Sequence, residues 1–84
     1  MMEKITVKLP EPVAIDGKEI TEIEMRQPTG GDVEGIVGVD NLGRAVTELV
    51  VRLTTNVPLT EDDVRALSAK NYLKLSEEVM GFLG

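Results

Sequence analysis

Neither cysteine nor histidine occurs among the 84 residues. Without cysteine there is no thiol nucleophile, thiolate metal site or disulfide framework. Without histidine the usual general base near neutral pH is missing, along with the commonest transition-metal ligand. Carboxylates, hydroxyls and glycine-rich turns remain. Glu61, Asp62 and Asp63 are consecutive, so on a helix they fan around the axis instead of converging. Catalysis by paired carboxylates needs two of them about 5–10 Å apart across a cleft. Glu77 and Glu78 read as the solvent face of a late helix. Asp16-Gly17-Lys18-Glu19 has a faint likeness to a calcium loop. Aligning Gly17 with that loop's glycine, however, puts Pro12 and Ala14 at ligand positions and Ile23 where the bidentate acid belongs.

Two further segments fail the same kind of test. Pro28-Thr29-Gly30-Gly31-Asp32 is glycine-rich, but no Gly-Lys-Ser/Thr follows, and Asp32 would repel a phosphate at a helix start. Ser68 and Ser76 have Lys70 and Lys74 nearby without the Ser-x-x-Lys spacing of a serine acylation site. Asp40-Asn41-Leu42 lacks the serine that a carrier protein would modify. The expectation is a protein that is not an enzyme, with no catalytic residue, no metal site and no cofactor, acting through its surface.

The elements that form that surface can be read from period and punctuation. Ile5, Val7 and Leu9 alternate with Lys4, Thr6 and Lys8, the pattern of a half-buried strand. A second alternation sets Thr21, Ile23 and Met25 against Glu22, Glu24 and Arg26. Asp16-Gly17 between them is a hairpin turn signal. A two-residue loop there would place Leu9 opposite Glu24 and send the apolar faces to opposite sides. A three-residue loop, or a bulge near Pro10–Pro12, is therefore predicted, with Lys4 and Lys8 sharing the outer face with Glu22 and Glu24.

Pro28-Thr29 closes the second strand and opens a helix that Thr29 caps, with Asp32 at its positive end. Val33, Ile36 and Val37 make its apolar stripe, weakened by Gly30, Gly31, Gly35 and Gly38. Asn41 caps the next helix, whose Leu42, Ala45, Val46, Leu49, Val50 and Leu53 follow helical spacing over three turns. Thr60 with Asp63 marks a short helix carrying Val64 and Leu67. Ser68 can cap a last helix in which Ala69, Tyr72, Leu73, Val79, Met80 and Leu83 form a core stripe. Leu75 and Phe82 add a second flank with Val79 between them. Leu75, Val79, Phe82 and Leu83 are thus the expected partner-binding residues.

These elements make an α+β fold: an N-terminal two-stranded antiparallel β-hairpin followed by three to four packed α-helices. The length fits a single domain over 1–84, hairpin in 1–27 and helical part in 29–84. Its core must be aliphatic, because Tyr72 and Phe82 are the only aromatics. The net charge is −6, with nine acids against four bases in the first 40 residues and six against five in the rest. Such a surface repels phosphate backbones and anionic lipid, so nucleic acid and membrane are poor partners. No apolar run approaches the roughly 20 residues of a membrane span. Met1-Met2-Glu3-Lys4 leads into a strand pattern and not into a leader. The expected location is the cytoplasm.

Taken in order, the landmarks resemble one known pattern. A short alternating strand runs into Pro10, and Asp16-Gly17-Lys18 follows. A second strand ends in Met25-Arg26-Gln27-Pro28-Thr29-Gly30-Gly31-Asp32. A helix closes on Leu53-Thr54, Val57-Pro58 precedes a short acidic helix, and the chain finishes Val79-Met80-Gly81-Phe82-Leu83. Over nearly its whole length the chain is similar to the phage tail assembly chaperones of the Mu-like group. That resemblance implies binding to the long, mostly helical tape measure protein in the bacterial host cytoplasm, keeping it soluble while tail tube subunits gather around it. It also implies a second partner, a longer form of the chain made by ribosomal frameshifting near the gene's end. Gly81-Phe82-Leu83 is compatible with slippery codons there. A homo-oligomer is left open. The alternative reading is a small structural tail or neck subunit of the virion.

Overall fold

The computed structural model describes residues 4–38 and 41–83, the side chain of Leu83 excepted. Strand β1 (Lys4–Ile15) pairs antiparallel with β2 (Lys18–Arg26). Asp16 and Gly17 make a two-residue turn with φ of 57° and 79°. That is the left-handed pair a type I′ turn requires, and it matches the twist of the strands it joins. Next to the turn, Val13 faces Ile20; further out, Lys8 faces Glu22. Leu9, Pro10, Glu11 and Pro12 therefore stand against Thr21 alone. The offset is odd, so it returns the side chains to a common face: Val7 opposes Ile23 and Ile5 opposes Met25. The loop has two residues, and the bulge expected at Pro10–Pro12 resolves the parity conflict. On the wet face Lys8 opposes Glu22 and Thr6 opposes Glu24, while Lys4 meets Arg26.

Four helices follow: α1 (Gly30–Glu34), α2 (Leu42–Leu53), α3 (Glu61–Arg65) and α4 (Ala69–Leu83). Each begins with a side chain taking up a backbone N–H that the helix cannot satisfy internally. Thr29 and Asp32 form a reciprocal capping box on α1, and Thr60 and Asp63 another on α3. Asn41 accepts from the Arg44 N–H at the start of α2, and Ser68 from the Asn71 N–H at the start of α4. The glycine-laden α1 lasts only five residues before loosening into turns, and Val37 is left exposed.

The core gathers Val7, Ile23 and Met25 from the hairpin, Val46, Leu49, Val50 and Leu53 from α2, Val64 from α3, and Leu75 and Val79 from α4. Fully burying each such side chain stabilises the fold by about 1.5–3 kcal/mol. Of the stripe expected on α2, only Leu42 lies outside, at 66% exposure. The segment after α2 closes the far side of the hairpin. The Thr55 N–H donates to the Glu24 carbonyl at 2.8 Å, and the Asn56 amide accepts from the Glu24 N–H and donates to the Glu22 carbonyl. Residues 54–56 thus cover the outer edge of β2, with Thr54 bridging Met25.

Candidate functional site

The rotation of α4 about its axis decides which residues can meet another molecule, and one buried amide sets it. The β1 bulge is Pro10-Glu11-Pro12, where only Glu11 has an N–H to donate. Asn71 lies one turn from α4's start and is 1% exposed. Its side chain accepts from the Glu11 N–H at 3.0 Å and donates to the Glu11 carbonyl at 2.9 Å. The amide replaces the missing ladder partner, so both backbone groups escape the cost of burial without a bond.

With Asn71 turned inward, Leu75 and Val79 follow it one and two turns on, at 1% and 0% exposure. Both are inside the core. Phe82 is half-buried and packs against the same cluster. The side chain of Leu83 lies outside the described residues. The expected core stripe of α4 is corrected at Ala69, Leu73 and Met80: Ala69 is exposed, and Leu73 and Met80 face outward at 63% and 43% exposure. Counting apolar residues favoured that stripe, but the unmet bonds of Glu11 require the neighbouring face.

Leu73 and Met80 are two turns apart and form an apolar line on the outside of α4. The line begins at a groove of about 560 Å³ between α2, the end of α3 and the start of α4. Leu67, Tyr72 and Leu73 supply its apolar wall, and Arg44, Thr47 and Arg65 its polar one. The Tyr72 hydroxyl donates to the Gly43 carbonyl at 3.1 Å and lies 3.2 Å from the Thr47 hydroxyl. This fixes the ring in the groove wall. Arg65 is held by Glu61 and Asp62 on its own helix.

The segment from Arg26 to Asp32 has an architectural role. The Arg26 guanidinium grips the Asp32 carboxylate with both arms, at 2.6 and 3.0 Å, and also donates to the Arg52 carbonyl at the end of α2. The Thr29 N–H donates to the same carboxylate at 2.8 Å. Bonding by Arg26, then by the Thr29 backbone, holds the Asp32 carboxyl far below the ordinary carboxylate range, against the opposing effect of burial. In turn Asp32 raises the Arg26 value. The Arg52 guanidinium lies over Gly35, where a β-carbon would come within 2.7 Å of it. The cluster ties the end of β2 to α1 and α2. Thr29 and Asp32 were legible as a cap; Arg26 was not, although an arginine just before a Pro-Thr helix start is a signal for such a clasp. Asn71 was not legible either, although the lone N–H between Pro10 and Pro12 demands a partner.

Among the described residues no three carboxylates gather into a group able to hold a metal ion, and no helix is long and apolar enough to cross a membrane. What these residues offer another molecule is an apolar line on a helix, a groove beside it, and charges around both. No curated relative and no solved structure matches the chain. A family model described as phage tail assembly chaperone proteins, E, or 41 or 14, matches residues 6–84.

Proposed function

The chain belongs to the phage tail assembly chaperone family, and from that premise we propose that it binds the tape measure protein and keeps it soluble during tail morphogenesis in the host cytoplasm. The observation carrying this reading is the apolar line of Leu73 and Met80, exposed on a 15-residue helix whose opposite face is already committed to the core. A long helical client that has not yet assembled would aggregate through its own apolar stripes. A helix face bearing aliphatic side chains two turns apart can cover such a stripe. The net charge of −6 would keep the resulting complex dispersed. Phe82, half-buried at the end of the same helix, extends the contact if the last turn opens.

Leu75 and Val79 then act indirectly, by fixing α4 so that Leu73 and Met80 point away from the hairpin. Co-expression with the tape measure protein tests the proposal. The double variant Leu73→Lys with Met80→Lys is expected to fold normally and to lose the co-purifying client. Full retention of the client by that variant would remove the proposed surface. Mass spectrometry of purified particles is the companion measurement. An assembly factor is absent from the finished virion, and stoichiometric presence would favour a structural tail or neck subunit.

A further inference from the structure

We propose that the free edge of β1 is a second docking surface, one that accepts an extended acidic strand from another protein. Its geometry follows from the hydrogen bonds on the far side of the hairpin. Glu24 turns both its N–H and its carbonyl away from β1, toward Asn56 and Thr55, and Glu22 turns its carbonyl the same way. Backbone groups alternate sides along a strand. Ile23 and Met25 therefore point toward β1, and their partners Val7 and Ile5 point back at them. Lys4, Thr6 and Lys8 must direct their backbone groups outward. Among the described residues nothing bonds to those groups. Residues 54–56 cover the edge of β2, and Asn71 serves Glu11 alone, so the stretch from Lys4 to Lys8 stays open.

The side chains on this stretch state what kind of strand it takes. Lys4, Thr6 and Lys8 are all exposed on the wet face. A second copy pairing antiparallel about Thr6 would set Lys4 opposite Lys8 twice over, and like charges in that position are destabilising. Lysines on an edge discourage self-pairing for this reason. A strand with glutamate or aspartate at alternate positions meets both lysines favourably. Its intervening apolar residues continue the face of Ile5 and Val7. The bulge at Pro10-Glu11-Pro12 limits the register, because the partner cannot pair past Lys8 without meeting prolines. This surface is of a different kind from the outer face of α4: it recognises backbone in extended conformation, not a helix stripe.

The test uses the full isotope-labelled chain with two synthetic peptides, one alternating glutamate with valine and one alternating lysine with valine. The glutamate peptide is expected to slow amide exchange at Thr6 and Lys8 while leaving Val7, already bonded to β2, unchanged. The lysine peptide should bind about tenfold more weakly, as two favourable cross-strand charge pairs become unfavourable. The double variant Lys4→Glu with Lys8→Glu should reverse that preference. Thr6→Pro removes one outward N–H but none of the bonds to β2, and should abolish binding by the glutamate peptide. Equal binding of the two peptides, protection of Thr6 and Lys8 in the free chain, or no binding by either would overturn the proposal. So would a concentration-dependent dimer that protects the same amides. None of these results would touch client binding through α4, which Leu73→Lys with Met80→Lys reads separately.

Discussion

Two polar side chains hold together backbone that apolar packing alone would leave unsatisfied. Asp32 is the clearer electrostatic case. Its carboxyl sits lower in the folded chain than in the unfolded one, so the folded state binds fewer protons. The resulting stability is present in full above the ordinary carboxylate value of about 4, and is lost as pH falls below it toward the depressed native value. Asp32→Asn is expected to cost about 2–4 kcal/mol at neutral pH, measured by urea denaturation. The variant should also show a shallower loss of stability on acidification than the parent. Asn71 is the neutral counterpart. Asn71→Leu keeps the branched shape but strands the N–H and carbonyl of Glu11, at a cost of about 2–4 kcal/mol. Asn71→Asp keeps an acceptor for the Glu11 N–H but sets a buried carboxylate against the Glu11 carbonyl, and should cost at least as much. Neither role was legible from the residue alone. An aspartate near a helix start reads as a cap, and an asparagine between a lysine and a tyrosine reads as surface. Each meaning came from a partner, Arg26 across a turn and Glu11 sixty positions away in sequence.

At the scale of elements the sequence spoke more clearly, because turns, caps and periods are local. Asp16-Gly17 forms the turn its composition announced, and Gly17→Ala should cost about 1 kcal/mol through the positive φ it must keep. The odd offset in β1 is forced by parity, since two alternating apolar runs can share a face in only half of all registers. Helix α2 buries the stripe its spacing predicted except at its first residue, Leu42, which is exposed. The rotation of α4 is not fixed by its pattern, because its apolar residues spread over about half the circumference and periodicity cannot choose which part of that arc is buried. A paired measurement makes the distinction. Leu75→Asp places a charge in the core and should unfold the domain or cost about 3–5 kcal/mol. Leu73→Asp, on the exposed side, should stay within about 0.5 kcal/mol of the parent.

For the molecule as a whole, long-range closure matters most. Residues 54–56 complete one side of the hairpin and Asn71 completes the bulge on the other, so both strands depend on segments far along the chain. A hairpin alone is marginal in water, and five backbone groups of this one, on Glu11, Glu22 and Glu24, lack their partners until residues 54–56 and α4 dock. Hydrogen exchange should therefore show Glu24 and Glu11 opening together with α4 in one cooperative step. Separate opening of the hairpin at lower free energy would contradict that coupling. Association surfaces are harder to read from sequence than the fold. Burial follows a period, whereas an exposed leucine is ordinary on any protein and becomes informative only once the helix face opposite it is known to be full.

The bond between Asn71 and Glu11 also has a consequence for biosynthesis. While the ribosome still shields the last segment, the nascent hairpin has no amide to close its proline-flanked kink and no α4 to seal its greasy side. Folding must wait until α4 has cleared the ribosome, and the interval before that is when the emerging polypeptide is most open to capture by a protease. Stalled nascent chains ending near residue 65 should be digested readily, whereas chains exposed through residue 83 should resist; early resistance would mean the hairpin stands alone.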